Sequence, residues 1–121
     1  MDIGETIVGL DMQRHLWVVL SAPDAEGNVA VANLTTHGKP SCGDFCVVVS
    51  PAEHPFLRRD SCVYYRGASL NPVAPLDEYK TRGALNQSVP MPAEVVKRIQ
   101  DGALASKFTQ GVVKDAIRAS M

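Results

Sequence analysis

His15-Leu16-Trp17-Val18-Val19-Leu20-Ser21, the turn Asp24-Ala25-Glu26-Gly27-Asn28, and Val29-Ala30-Val31-Ala32-Asn33-Leu34-Thr35 together decide the fold. The first run is almost continuously apolar, rich in β-branched and aromatic residues, and stopped by Pro23. Its seven residues are short for a helix and suit a strand covered on both faces. Gly27 and Asn28 tolerate positive φ, so the turn joins the two runs as an antiparallel hairpin.

The same pattern extends outward from this hairpin. Thr6 to Leu10 reads as a short strand, and Phe45-Cys46-Val47-Val48-Val49 as another, ended by Ser50-Pro51. From Pro51 to Phe56 two prolines exclude a sustained helix, which leaves an irregular crossing segment. Ser61-Cys62-Val63-Tyr64-Tyr65 is a further strand ending at Gly67, and Asn71, Pro72 and Pro75 then mark a long surface loop. The last third changes period. Pro92 at a first helical position precedes Val95, Val96, Ile99 and Ala103 at helical spacing. Val112, Val113, Ala116 and Ile117 form the stripe of a second helix from about Thr109. The expected fold is α+β: a small, closed or half-closed antiparallel β-barrel of four or five strands, about 6–80, with two C-terminal helices, about 92–119. Trp17, Val19, Val31, Val48 and Val63 are expected inside.

A chain of 121 residues with these proportions suits one domain, 1–121, and 45% hydrophobic against 21% charged residues excludes wholesale disorder. No apolar run approaches the roughly 20 residues of a membrane span. Acids at Asp2 and Glu5 do not suit an export signal, so a cytoplasmic protein without a membrane role is expected. The charge is uneven. Residues 1–53 hold two bases against seven acids, and residues 54–121 hold ten bases against six acids. Gathered on one face, Arg58, Arg59 and Arg66 can meet phosphates; dispersed, they are an ordinary solvated surface. Cys42, Cys46 and Cys62 are odd in number and poorly spaced for zinc, even with His37 and His54 added. Buried reduced thiols, no metal and no cofactor are the expectation.

The strand Leu16–Ser21, the turn at Gly27 and the strand Val29–Leu34 ending in Thr35-Thr36 resemble the early core of the MazF/PemK-like toxins. Ser61-Cys62-Val63-Tyr64-Tyr65-Arg66 followed by Leu70 resembles the later strand that leads into that family's dimer region, so the likeness covers roughly residues 6–70. It implies an SH3-like barrel and the toxin of a toxin–antitoxin system: a metal-independent endoribonuclease that cleaves single-stranded RNA, partnered by an antitoxin and forming a homodimer. One departure counts against activity. The family's first loop usually carries Arg-Gly-Asp to hold the scissile phosphate, and this chain has no such triplet, offering only Arg14 before Trp17. The alternative is a catalytically silent barrel that binds a peptide or nucleic acid.

Cleavage without metal needs a proton acceptor for the 2′-hydroxyl, a cation beside the phosphorane and a proton for the leaving oxygen. The proposed hairpin brings Arg14, His15 and Thr35 together, as charge, proton carrier and hydrogen-bond donor. In a purely structural role Arg14 is a surface residue, His15 a strand-edge residue and Thr35 a strand-end cap. His54, between prolines and ahead of Arg58-Arg59, either contacts RNA or bonds a backbone carbonyl to hold its turn. Trp17, Tyr64 and Tyr65 offer faces for unpaired bases, although alternation lets only one of the two tyrosines face a ligand. The expected RNA contacts are therefore His54, Arg58, Arg59, Tyr64 and Arg66.

Overall fold

A computed structural model of the chain describes residues 1–12, 14–36 and 47–121; His37, Lys39, Cys42, Asp44, Phe45 and Cys46 lie outside these. Among the described residues the strands are β1 (Thr6–Val8), β2 (Leu16–Val19), β3 (Asn28–Thr36), β4 (Val48–Val49), β5 (Ser61–Pro72) and β6 (Asn86–Ser88). The helices are α1 (Val73–Thr81), α2 (Ala93–Ala105) and α3 (Gly111–Ala119). The strands form one curled antiparallel sheet in the order β4-β5-β3-β2-β1-β6, giving an α+β half-barrel. The hairpin is as expected: Val19 pairs with Val31 and Trp17 with Asn33. Its turn is held by Asp24, whose Oδ1 accepts from Glu26 N and Asn28 N, while Gly27 takes φ 78°.

Strict alternation explains why the central strands are apolar throughout. Val18, Leu20, Ala30, Ala32, Leu34 and Val63 face α2 and α3, packing on Val95, Ile99, Val113 and Ile117. Val19, Val29 and Val31 point to the other face, where Ile7, Leu76 of α1 and Leu85 cover them. Both faces of β2 and β3 are therefore core, a burial worth about 25 cal/mol for each Å² of apolar surface. α2 is also pinned by polar bonds: Tyr65 Oη donates to Ile99 O (2.8 Å), and Gln100 Nε2 to Leu20 O (2.8 Å).

Five expectations need correction. The sheet has six strands among the described residues, where four or five were expected. Trp17 and Val48 are half-buried, whereas Val19, Val31 and Val63 are fully buried. β5 does not stop at Gly67 but continues to Pro72, through an irregularity in which Val31↔Ser69 and Asn33↔Tyr64 set two steps of β3 against five of β5. Gly67 permits this, because a Cβ there would lie 2.8 Å from the Tyr64 ring and 3.2 Å from Asn33 Oδ1. In place of the surface loop stands α1, with Pro72 as its N-cap and Pro75 in its first turn, where a missing N–H costs nothing. Finally, Cys62 is disulfide-bonded and not a free thiol.

Candidate active site

The β2–β3 register sets the geometry of the site. Trp17 faces Asn33, and His15 and Thr35, each two residues beyond that pair, line the same cavity. On the other side Thr35 pairs with Cys62, and Thr36 with Ser61. The segment that enters β5 carries Pro55, Phe56, Arg58 and Arg59, and it runs over the same end of the sheet. The result is a cavity of about 630 Å³ lined by Arg14, His15, Leu16, Leu34, Thr35, Thr36, Pro55, Phe56, Leu57, Arg58, Arg59 and Ser61. Five of the eight expected site residues (Arg14, His15, Thr35, Arg58 and Arg59) thus line one opening. Arg14, Arg58 and Arg59 are exposed, His15 and Thr35 half-buried, and Leu16 and Leu57 form a buried floor. Three cations around an apolar floor suit an anionic ligand with flat apolar parts.

Two residues that sequence reasoning passed over shape this cavity. Asp11 accepts from His15 N (3.0 Å, Oδ1) and lies 2.6 Å from His15 Nδ1 (Oδ2). Its carbonyl accepts from Arg14 N (3.2 Å), closing a turn in which Arg14 takes φ 56°. Left-handed backbone is uncommon outside glycine and gathers at functional sites. Partial burial pushes the Asp11 carboxyl up, but the hydrogen bonds from His15 ring and backbone outweigh it and hold the acid below its ordinary value. The other is Phe56, 40% exposed with its ring on the cavity. The i,i+4 spacing of Asp11 and His15 was the available signal for the first; for Phe56 there was only its place between Pro55 and Arg58.

The remaining candidates sit elsewhere. His54 is 1% exposed, with Nε2 2.7 Å from Val89 O and Nδ1 accepting from Phe56 N (3.1 Å). Both ring nitrogens are engaged by backbone groups, which is the turn-holding arrangement, and His54 does not line the cavity. Tyr64 is half-buried against Gly67 and Asn33, outside the cavity lining. Arg66 stacks on Phe108 at 3.5 Å from the ring centroid, between α2 and α3, also away from the cavity. Tyr65 is core, and Trp17 packs into the cluster beneath α1 instead of presenting a stacking face.

The cavity rim is braced from behind. Glu53 Oε2 accepts from Arg98 Nη1 of α2 (2.7 Å), and Arg98 Nη2 donates to Val48 O (2.7 Å). Glu53 Oε1 also accepts from Ser50 N (3.1 Å). The Arg98 guanidinium, with the Ser50 amide, holds the Glu53 carboxyl down to about 2. This bracket fixes the segment that presents Phe56, Arg58 and Arg59.

The solved structures place this architecture. A chain of the MazE–MazF complex of Deinococcus radiodurans, in crystal form III, superposes with a TM-score of 0.55 at 16% identity, over 87% of this chain and 93% of that one. The fold is MazF-like. The same complex in form II gives a TM-score of 0.57 at 15% identity, over 91% and 97% of the two chains. No protein-family model and no curated protein matches the sequence. Among the described residues no helix is long and apolar enough to cross a membrane.

Proposed function

We propose that this chain is a MazF-like toxin: an endoribonuclease that cleaves single-stranded RNA in the Arg14–His15–Thr35 cavity without metal. The observation that carries this reading is the convergence of a histidine, a threonine hydroxyl and three arginines on one cavity of a MazF-like fold. In the reaction the 2′-oxygen bonds to phosphorus, its proton passes to His15, and the P–O5′ bond breaks. The leaving oxygen takes a proton from the imidazolium or from water, giving a 2′,3′-cyclic phosphate and a 5′-hydroxyl. Arg14 and the Thr35 hydroxyl meet the charge that develops on the phosphorane oxygens. Arg58 and Arg59 hold flanking phosphates, and Phe56 offers a face to an unpaired base.

The neighbours, taken from MazE–MazF complexes, support an antitoxin as partner. A homodimer is supported by the edge of the sheet. Among the described residues β4 pairs only with Ser61 and Cys62, leaving the rest of β5 without a strand on that side. Light scattering that returns one chain's mass at micromolar concentration refutes the dimer.

Arg14→Ala and Thr35→Ala are each expected to lower cleavage by about ten-fold or more while RNA affinity falls less, because Arg58 and Arg59 remain. Equal losses of affinity and cleavage in the folded variants would contradict these roles. The absence of Arg-Gly-Asp favours a second reading, a silent RNA-binding barrel, which predicts affinity without cleavage.

A further inference from the structure

We infer that Asp11 is the positioning residue for His15: it holds the imidazole with its proton on Nδ1 and presents Nε2 to the cavity as the proton acceptor. This rests on the ribonuclease reading of the cavity, but it can be tested apart from it.

The geometry is a double clamp. One carboxylate oxygen of Asp11 accepts from the backbone N–H of His15 at 3.0 Å, and the other meets His15 Nδ1 at 2.6 Å. A carboxylate only accepts, so Nδ1 must carry a proton whenever that bond is made, whatever the charge on the ring. A neutral His15 then has its lone pair on Nε2. Among the described residues Nε2 has no partner, and the ring, 25% exposed, is part of the cavity lining. The backbone bond fixes the position of the His15 main chain, and the ring bond fixes the side-chain rotamer. Together they leave the imidazole little freedom about χ1 and χ2.

The same residue shapes its neighbour. Asp11 O accepts from Arg14 N at 3.2 Å, closing the turn that keeps Arg14 in the left-handed region. Strain of this kind persists only where surrounding bonds over-determine the backbone, and the three bonds to Asp11 supply that constraint. Among the described residues, the charged groups that line the cavity with His15 are Arg14, Arg58 and Arg59, all cationic. Among the described residues Asp11 is therefore the acid that meets the ring, from behind the cavity and not within it. Catalytic dyads are built this way: an acid orients the base and compensates the imidazolium that forms, without itself touching substrate.

The test is the protonation pattern of His15 by long-range ¹H–¹⁵N NMR, recorded above the ring's titration, in wild type and in Asp11→Asn. Wild type is expected to show a protonated Nδ1 and a bare Nε2. In Asp11→Asn the side-chain amide can donate to Nδ1, so the proton is expected to move to Nε2. In steady-state cleavage, kcat should fall by about ten-fold or more with KM for RNA within about three-fold, because phosphate contacts are untouched. A wild-type ring protonated on Nε2 overturns the proposal without any variant, so it stays falsifiable if Asp11→Asn folds poorly. A folded Asp11→Asn with unchanged kcat also overturns it. If the wild-type ring shows the expected pattern but the protein cuts no RNA, the ribonuclease reading fails while the positioning of His15 by Asp11 stands.

Discussion

Replacing His54 with alanine separates an anchor from a ligand. The ring is 1% exposed and bridges two segments, with Nε2 2.7 Å from Val89 O and Nδ1 3.1 Å from Phe56 N. Each hydrogen bond is worth about 1 kcal/mol net. Val89 O keeps its second donor, Thr6 Oγ1 at 2.6 Å, so it is not left bare, whereas Phe56 N loses its acceptor. The vacated ring volume adds about 1–2 kcal/mol, since a buried site relaxes only in part. The total is about 3 kcal/mol, which in a chain of this size lowers the melting temperature by about 10 °C. Thermal unfolding followed by circular dichroism measures it, with RNA affinity recorded on the folded protein. His54→Gln, which keeps one donor, should fall between. A His54→Ala protein that melts within about 2 °C of wild type yet loses RNA affinity would refute the anchoring role.

Glu53→Gln tests the bracket to α2. The folded carboxyl titrates at about 2 against an ordinary 4.5, so its stabilisation is complete above pH 4.5 and is lost as pH falls towards 2. Because Arg98 is 46% exposed, solvent screening leaves about 1 kcal/mol, and denaturant titrations should show that gap at pH 7 narrowing below pH 4.5. Gly67→Ala places a Cβ 2.8 Å from the Tyr64 ring and should cost about 1–2 kcal/mol; a neutral effect would refute the close approach. Cys62 should resist alkylation in unfolded protein until a reductant is added, and labelling without reductant would contradict its disulfide.

The hairpin was legible because β2 and β3 are buried on both faces, which leaves Asn33 as the one polar residue within Leu16–Val19 and Val29–Leu34. α1 was not, because Pro72 and Pro75 mark loops more often than first turns, and Leu76 is its sole buried residue. β6 is Asn86-Gln87-Ser88, whose backbone pairing with β1 owes nothing to side-chain pattern. The same division runs through the site. Arg14, His15 and Thr35 follow from local register, and Arg58-Arg59 from charge in the adjoining segment. His54, Tyr64 and Arg66 depended on partners far along the chain: Val89 for the histidine, Asn33 for the tyrosine, Phe108 for the arginine. No period or spacing encodes those choices, since tertiary packing makes them.

The most direct test of a metal-free cavity that works through the 2′-hydroxyl is cleavage of a long unstructured RNA, beside DNA of the same sequence, by wild-type protein in EDTA. The RNA is expected to be cut into fragments bearing 5′-hydroxyl ends while the DNA stays whole. Intact RNA with folded protein, or cutting that stops when EDTA is added, would contradict that expectation.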